Sequence, residues 1–102
     1  MAIQFKAGKV NFDASTGRQR EPLTVTFPGR TVRSANAALK GFNIEFTNGD
    51  HEIVRQEIDI DVIGVVGEAV NLSVDFLLRD SSGNIDDPYK GSVEVLVIAD
   101  VV

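Results

Sequence analysis

Apolar and polar residues take turns along almost the whole chain, which places successive side chains on opposite faces, the period of a β-strand. Ile3, Phe5 and Ala7 alternate, and Val10 and Phe12 continue on the other parity; a bulge or tight bend at Gly8 would turn both sets inward. Residues 13–22 read as a polar loop closed by Pro22. Leu23, Val25 and Phe27 then alternate with Thr24 and Thr26, a half-buried strand that Pro28-Gly29 ends.

Ser34 could cap one helical turn over 35–40, but six residues are marginal for a helix. The strand reading puts Ala35, Ala37 and Leu39 on one face. A bulge at Lys40-Gly41 then restores Phe42, Ile44 and Phe46 to it, and this reading is preferred. Asn48-Gly49 is expected to form a tight hairpin turn, since this residue pair tolerates the positive backbone angles that such a turn demands. Beyond it Val54, Gln56, Ile58, Ile60 and Val62 alternate with Arg55, Glu57, Asp59 and Asp61. A turn around Gly64 and Gly67 leads into Val70, Leu72, Val74, Phe76 and Leu78, giving a long antiparallel pair with one wet face. Loop 80–91 follows. The last run, Val93 to Val101, is apolar on both parities from Val95 to Ala99, so it lies centrally or is covered by another subunit.

These signals predict seven to eight strands in one all-β domain, an antiparallel β-sandwich in which each one-sided sheet buries its apolar face against another. Phe5, Phe42, Ile58, Val74 and Val95 are expected to face inward, as are all six phenylalanines. The 102 residues leave no room for a second core. Hydrophobic residues at 43% and charged residues at 25% exclude a disordered tail.

The net charge of −5 is uneven. Residues 1–40 hold seven bases and two acids, residues 41–102 three bases and thirteen acids. Either strands from the two halves neutralise each other within one sandwich, the simpler reading, or opposite faces survive and steer copies together. The negative total argues against nucleic acid as a partner, although Arg18, Arg20, Arg30 and Arg33 could form a local basic patch. No signal peptide or transmembrane span is visible in these residues, so membrane insertion is not expected. The expectation is a protein made soluble in the cytoplasm, then released or built into a particle.

Reactive chemistry is sparse. With no cysteine and one histidine, thiol and zinc-thiolate sites are excluded and catalytic triads depend on His51, which sits in a turn. The acidic row Glu57, Asp59, Asp61 lies on a wet face, the opposite of what a general acid needs. The chain is therefore read as no enzyme, with no resident cofactor. Asp80, Ser82, Asn84 and Asp86 place oxygens at every second position, a spacing that can wrap calcium, although glycine and glutamate miss their places in the helical-hand pattern. The simpler reading is a long hairpin loop. Tyr89 could stack on a sugar beside Asp86 and Asp87, or staple the loop to the sandwich, the preferred role.

The segments Leu23-Thr24-Val25-Thr26-Phe27 and Gly41-Phe42-Asn43-Ile44-Glu45-Phe46, with the alternation of residues 93–99, give a layout over residues 23–101 that resembles H-type lectin domains. That resemblance implies a small β-sandwich assembling as trimers or hexamers and binding sugars between chains. The residues themselves favour a non-catalytic module that forms a homo-oligomer, particle or filament, since free sheet edges and a two-sided apolar strand call for a neighbour. A carbohydrate-binding module, calcium-dependent or not, is the alternative.

Overall fold

The alternation folds into six long antiparallel strands: β1 (Ala2–Ser15), β2 (Gln19–Thr26), β3 (Val32–Phe46), β4 (Ile53–Val66), β5 (Ala69–Asp80) and β6 (Tyr89–Val101). The structure is a computed structural model that describes residues 2–47, 53–80 and 88–102, the side chains of 53, 54 and 80 excepted. The strands form two three-stranded sheets, ordered β1-β6-β3 and β2-β5-β4. Across the sandwich β1 lies against β2 and β3 against β4, so the two central strands, β5 and β6, face each other. Strands of this length make a rod of 50 × 17 × 17 Å. The exposed surface, 5824 Å², is close to the ~5,600 Å² that mass scaling gives for a chain this size.

The strands number six and not seven to eight, and the apolar runs on either side of Gly8 and of Lys40-Gly41 lie each within one strand. Gly8 carries no bulge: β1 keeps unbroken register with β6 from Ala2 opposite Val101 to Phe12 opposite Gly91. Ile3, Phe5 and Ala7 therefore point away from the core while Val10 and Phe12 point into it. Absence of a side chain at Gly8 matters instead for the approach of β2, since a Cβ there would come within 2.9 Å of Val25 Cγ2. The strand over Val32–Phe46 does bulge between Leu39 and Gly41, as its alternation requires, and no helix forms at 35–40.

Other turns depart from expectation. The loop after β1 is only residues 16–18, with Gly17 at φ 73°, and Pro22 sits within β2, an edge strand that tolerates its missing N–H. Hairpin pairing across Asn48-Gly49 does not occur, because β3 and β4 belong to different sheets; the turn residues themselves and His51 lie outside the described residues. The pair β4–β5 is the expected one. Its turn is Gly67-Glu68, with Gly67 at φ 59° in the pattern of a two-residue hairpin turn, whereas Gly64 lies at a register shift inside β4.

The core runs along β5 and β6, from Val70, Leu72, Val74 and Phe76 on one to Val93, Val95, Val97 and Val101 on the other, all at most 1% exposed. Phe12, Phe27 and Phe76 are buried, and Ile58 and Phe46 pack partly buried against them. Phe5 contradicts the expected inward set, at 64% exposure, and Phe42 keeps its inward register yet is 50% exposed. Phe5 points outward for the reason given. Phe42 pairs with buried Val93 and so faces inward, but on an edge strand where the sandwich is open.

The outer face of β2-β5-β4 shows how the two halves of the chain neutralise each other. Arg20 clasps Asp75 through two hydrogen bonds, from Nε at 2.6 Å and from Nη2 at 3.0 Å. Arg18 pairs with Glu57, which lies opposite the buried outward-facing Leu77. Asp59 and Asp61 remain exposed, as read for a wet face. Hydrogen bonds from Arg20 hold the Asp75 carboxyl below the usual carboxylate range against the opposing effect of burial, and those from Arg18 act likewise on Glu57. A depressed folded-state value means stabilisation that is full above the unfolded carboxylate range, near pH ~4, and is lost as pH falls from there through the folded-state value. Asp75→Asn is expected to lower the melting temperature at pH 7, with the deficit shrinking progressively as pH falls below ~4, which thermal melts across pH would show.

Candidate functional site

β6 is apolar on both faces, and the structure places it at the centre of its sheet. Its odd positions fill the core. Its even positions, Leu96 and Ile98, point outward and are half-buried. Register puts Phe5 beside Ile98 and Asn36, then Ala7 beside Leu96 and Ala38, in two successive rows across the sheet. Ile3, 55% exposed, continues the patch beside Asp100 and Ser34. Phe5 and Ile3 thus project from a face on which ordinary wet sheets carry polar residues.

Charges bound this patch at both ends. On one side Lys9 and Glu94 share a row, with Lys40 Nζ 3.6 Å from Glu94. On the other, Asp100 is half-buried, and its Oδ1 is shielded from solvent with no hydrogen-bond partner among the described residues. A shielded carboxylate oxygen without a donor is an unsatisfied acceptor.

Further along the same face lies a shallow polar depression of about 290 Å³ between Asn11, Ser92 and Asn43, beside the Lys90–Glu45 ion pair. A second, of about 350 Å³, opens between Leu23, Ile63 and Val66 on the other sheet, with Ile63 and Val66 exposed.

Tyr89 belongs to the core and not to a loop. As the first residue of β6 it is fully buried, edge-on to Phe76 at 5.6 Å between ring centres and to Phe46 at 6.5 Å. Its hydroxyl lies 2.9 Å from the Phe76 carbonyl and also meets the Gly17 carbonyl, so it ties β6 to β5 and to the β1–β2 connection. Burial pushes the phenol upward and keeps it a proton donor. Its ring is therefore unavailable as a stacking surface for a sugar. Of the residues considered for calcium, Asp80 ends β5, while Ser82, Asn84 and Asp86 lie outside the described residues, as does Asp87.

The sequence reading missed the outward row of β1. Its signal was the change of apolar parity at Gly8, which marks an apolar stretch on each face of one straight strand. No protein-family model, curated protein or solved structure matches the chain.

Proposed function

We propose that this protein is a non-catalytic β-sandwich module whose role is to associate with copies of itself, as a unit of a homo-oligomer or larger assembly. The observation that carries the reading is the apolar outer face of β1-β6-β3, where Phe5 and Ile3 stand exposed over half-buried Leu96 and Ile98. A contiguous apolar patch on a sheet's outer face is costly to keep in water and is relieved by a partner. Opposite charges of the chain's two halves contribute less to this reading, since Arg18, Arg20 and Lys40 already pair with Glu57, Asp75 and Glu94 within the chain.

Carbohydrate binding draws support from the two exposed rings, but Phe5 faces outward and Phe42 shares the inner face with Val93. They cannot wall one sugar site.

Light scattering after size exclusion at tens of micromolar is expected to give a multiple of 11.0 kDa. The multiple should persist from about 50 to about 500 mM salt, because apolar burial is not screened as surface charge is. A strict monomer under these conditions overturns the proposal.

A further inference from the structure

Self-association leaves open which surface is used, and the structure assigns it: we infer that a second copy of this chain packs its outer β1-β6-β3 face on the first, antiparallel, about a twofold axis between the Phe5–Ile98 row and the Ala7–Leu96 row. This inference rests on the reading above. It is carried by shape and by charge.

Shape comes first. A twofold axis in the interface, perpendicular to the strands, sets each row of one copy over its mirror row in the other. Phe5, the largest outward side chain of β1, then stands over Ala7 of the second copy, and Ile98 stands over Leu96. On β1 the large residue thus meets the small one, as interdigitating sheets require, while on β6 two aliphatic side chains pack over each other.

Charge is the second argument. The same operation carries Asp100 to the row of Lys9, Glu94 and Lys40. Asp100 lies three residues of strand from the axis, about 10 Å at 3.4 Å per residue. Packed sheets turn about −30° to one another, which shifts a point at that distance sideways by about 5 Å. Neighbouring strands are about 4.8 Å apart, so the shift moves Asp100 off Glu94 and onto a flanking lysine. A lysine Nζ from the second copy would then face the half-buried Asp100 carboxylate across the interface.

The face that two copies share about this axis is limited by its shorter arm, which runs from the axis to Val101, so it spans about 27 Å by the 17 Å width, roughly 460 Å² from each partner and smaller than the ~800 Å² of a standard interface. The sheet edges fit a copy less well. The edges of β3 and β4 are broken by register shifts and that of β2 by Pro22, devices that discourage edge pairing. On the β1 edge Lys6 is turned inward to donate to the Thr26 carbonyl at 2.6 Å, a further device of this kind.

Analytical ultracentrifugation of the full chain tests the assignment with three variants, each first shown by circular dichroism to be folded. Phe5→Lys places an unmatched charge at the centre of the face and is expected to raise the dimer Kd at least about thirty-fold. Asp100→Lys brings like charge onto Lys9 and Lys40 and is expected to raise it about tenfold or more. Phe42→Lys alters a half-exposed ring on the other face and is expected to leave Kd within about threefold. If the wild type is itself a monomer, the proposed function fails and this inference with it. If the wild type associates but Phe5→Lys associates equally well, or Phe42→Lys is the variant that dissociates, self-association stands and this face is not its site.

Discussion

Replacing Tyr89 by alanine is expected to destabilise the protein by about 3–5 kcal/mol, more than any exposed substitution considered above. The ring fills the end of the core between Phe76 and Phe46, and its hydroxyl joins three segments of chain at once. Alanine removes the packing and leaves a cavity between the central strands. Phenylalanine keeps the ring and loses only the hydroxyl, so Tyr89→Phe should lose about 1 kcal/mol. A small domain has about 5–15 kcal/mol in total, so the alanine variant is expected to be partly unfolded at 37 °C. Urea denaturation followed by far-ultraviolet circular dichroism measures both. Equal stability of Tyr89→Ala and wild type would show that β6 is not anchored at this end as described.

Gly91→Ala is the second large effect. Gly91 lies in the central strand, paired on one side with Phe12 and on the other with Ile44. An added Cβ would sit 1.9 Å from the Asn43 carbonyl oxygen and 3.0 Å from the Ile44 Cα. Backbone on an adjacent strand cannot step aside as a flexible side chain can, so β3 must move away from β6. The expected loss is about 3 kcal/mol, equivalent to a fall in Tm of roughly 12–24 °C for a domain of this size. Gly41→Ala is the matched control. No heavy atom lies within 4 Å of its added Cβ and its φ is not positive, so the substitution is expected to be neutral or to stabilise by up to about 1 kcal/mol through the unfolded chain. Thermal melts of the two variants side by side should separate them widely; similar melting temperatures would mean that β3 does not approach β6 so closely at this point.

The strands and their inward residues were legible because burial on one face writes a period of two into the sequence. Val70 to Leu78 on β5 shows this plainly, as does the bulge at Leu39–Gly41, where two runs of apolar residues change parity. At Gly8 the same kind of parity change has a different cause, since β1 runs straight and carries apolar residues first on its outer face and then on its inner one. Alternation alone cannot separate these cases, because a bulge and a two-faced strand leave the same pattern; pairing with β6 decides between them. Pairing partners were less legible still. Asn48-Gly49 reads locally as a hairpin, yet β3 finds β6 and β4 finds β5, a choice set by long-range packing of sheets and not by residues at the turn. Tyr89 was misplaced because a polar tip beside DDP looks like loop, while its ring completes the Phe76 and Phe46 cluster that only the fold assembles.

The candidate face was half legible. β6 announced itself as apolar on both parities, and of its two expected explanations the central position is the one found, with Leu96 and Ile98 half-buried on its outer side. Lys9, Lys40 and Asp100 drew no attention in the sequence, because their positions at the two ends of one patch follow from register across three strands.

Small-angle X-ray scattering on the wild-type protein tests the central claim most directly, since it reads mass and shape together. Face-to-face packing is expected to give twice 11.0 kDa with a length of about 65 Å, little more than the 50 Å of one copy, most of the added mass appearing as thickness. A mass of 11.0 kDa at every concentration, or a particle that grows in length toward twice that of one copy, would contradict it.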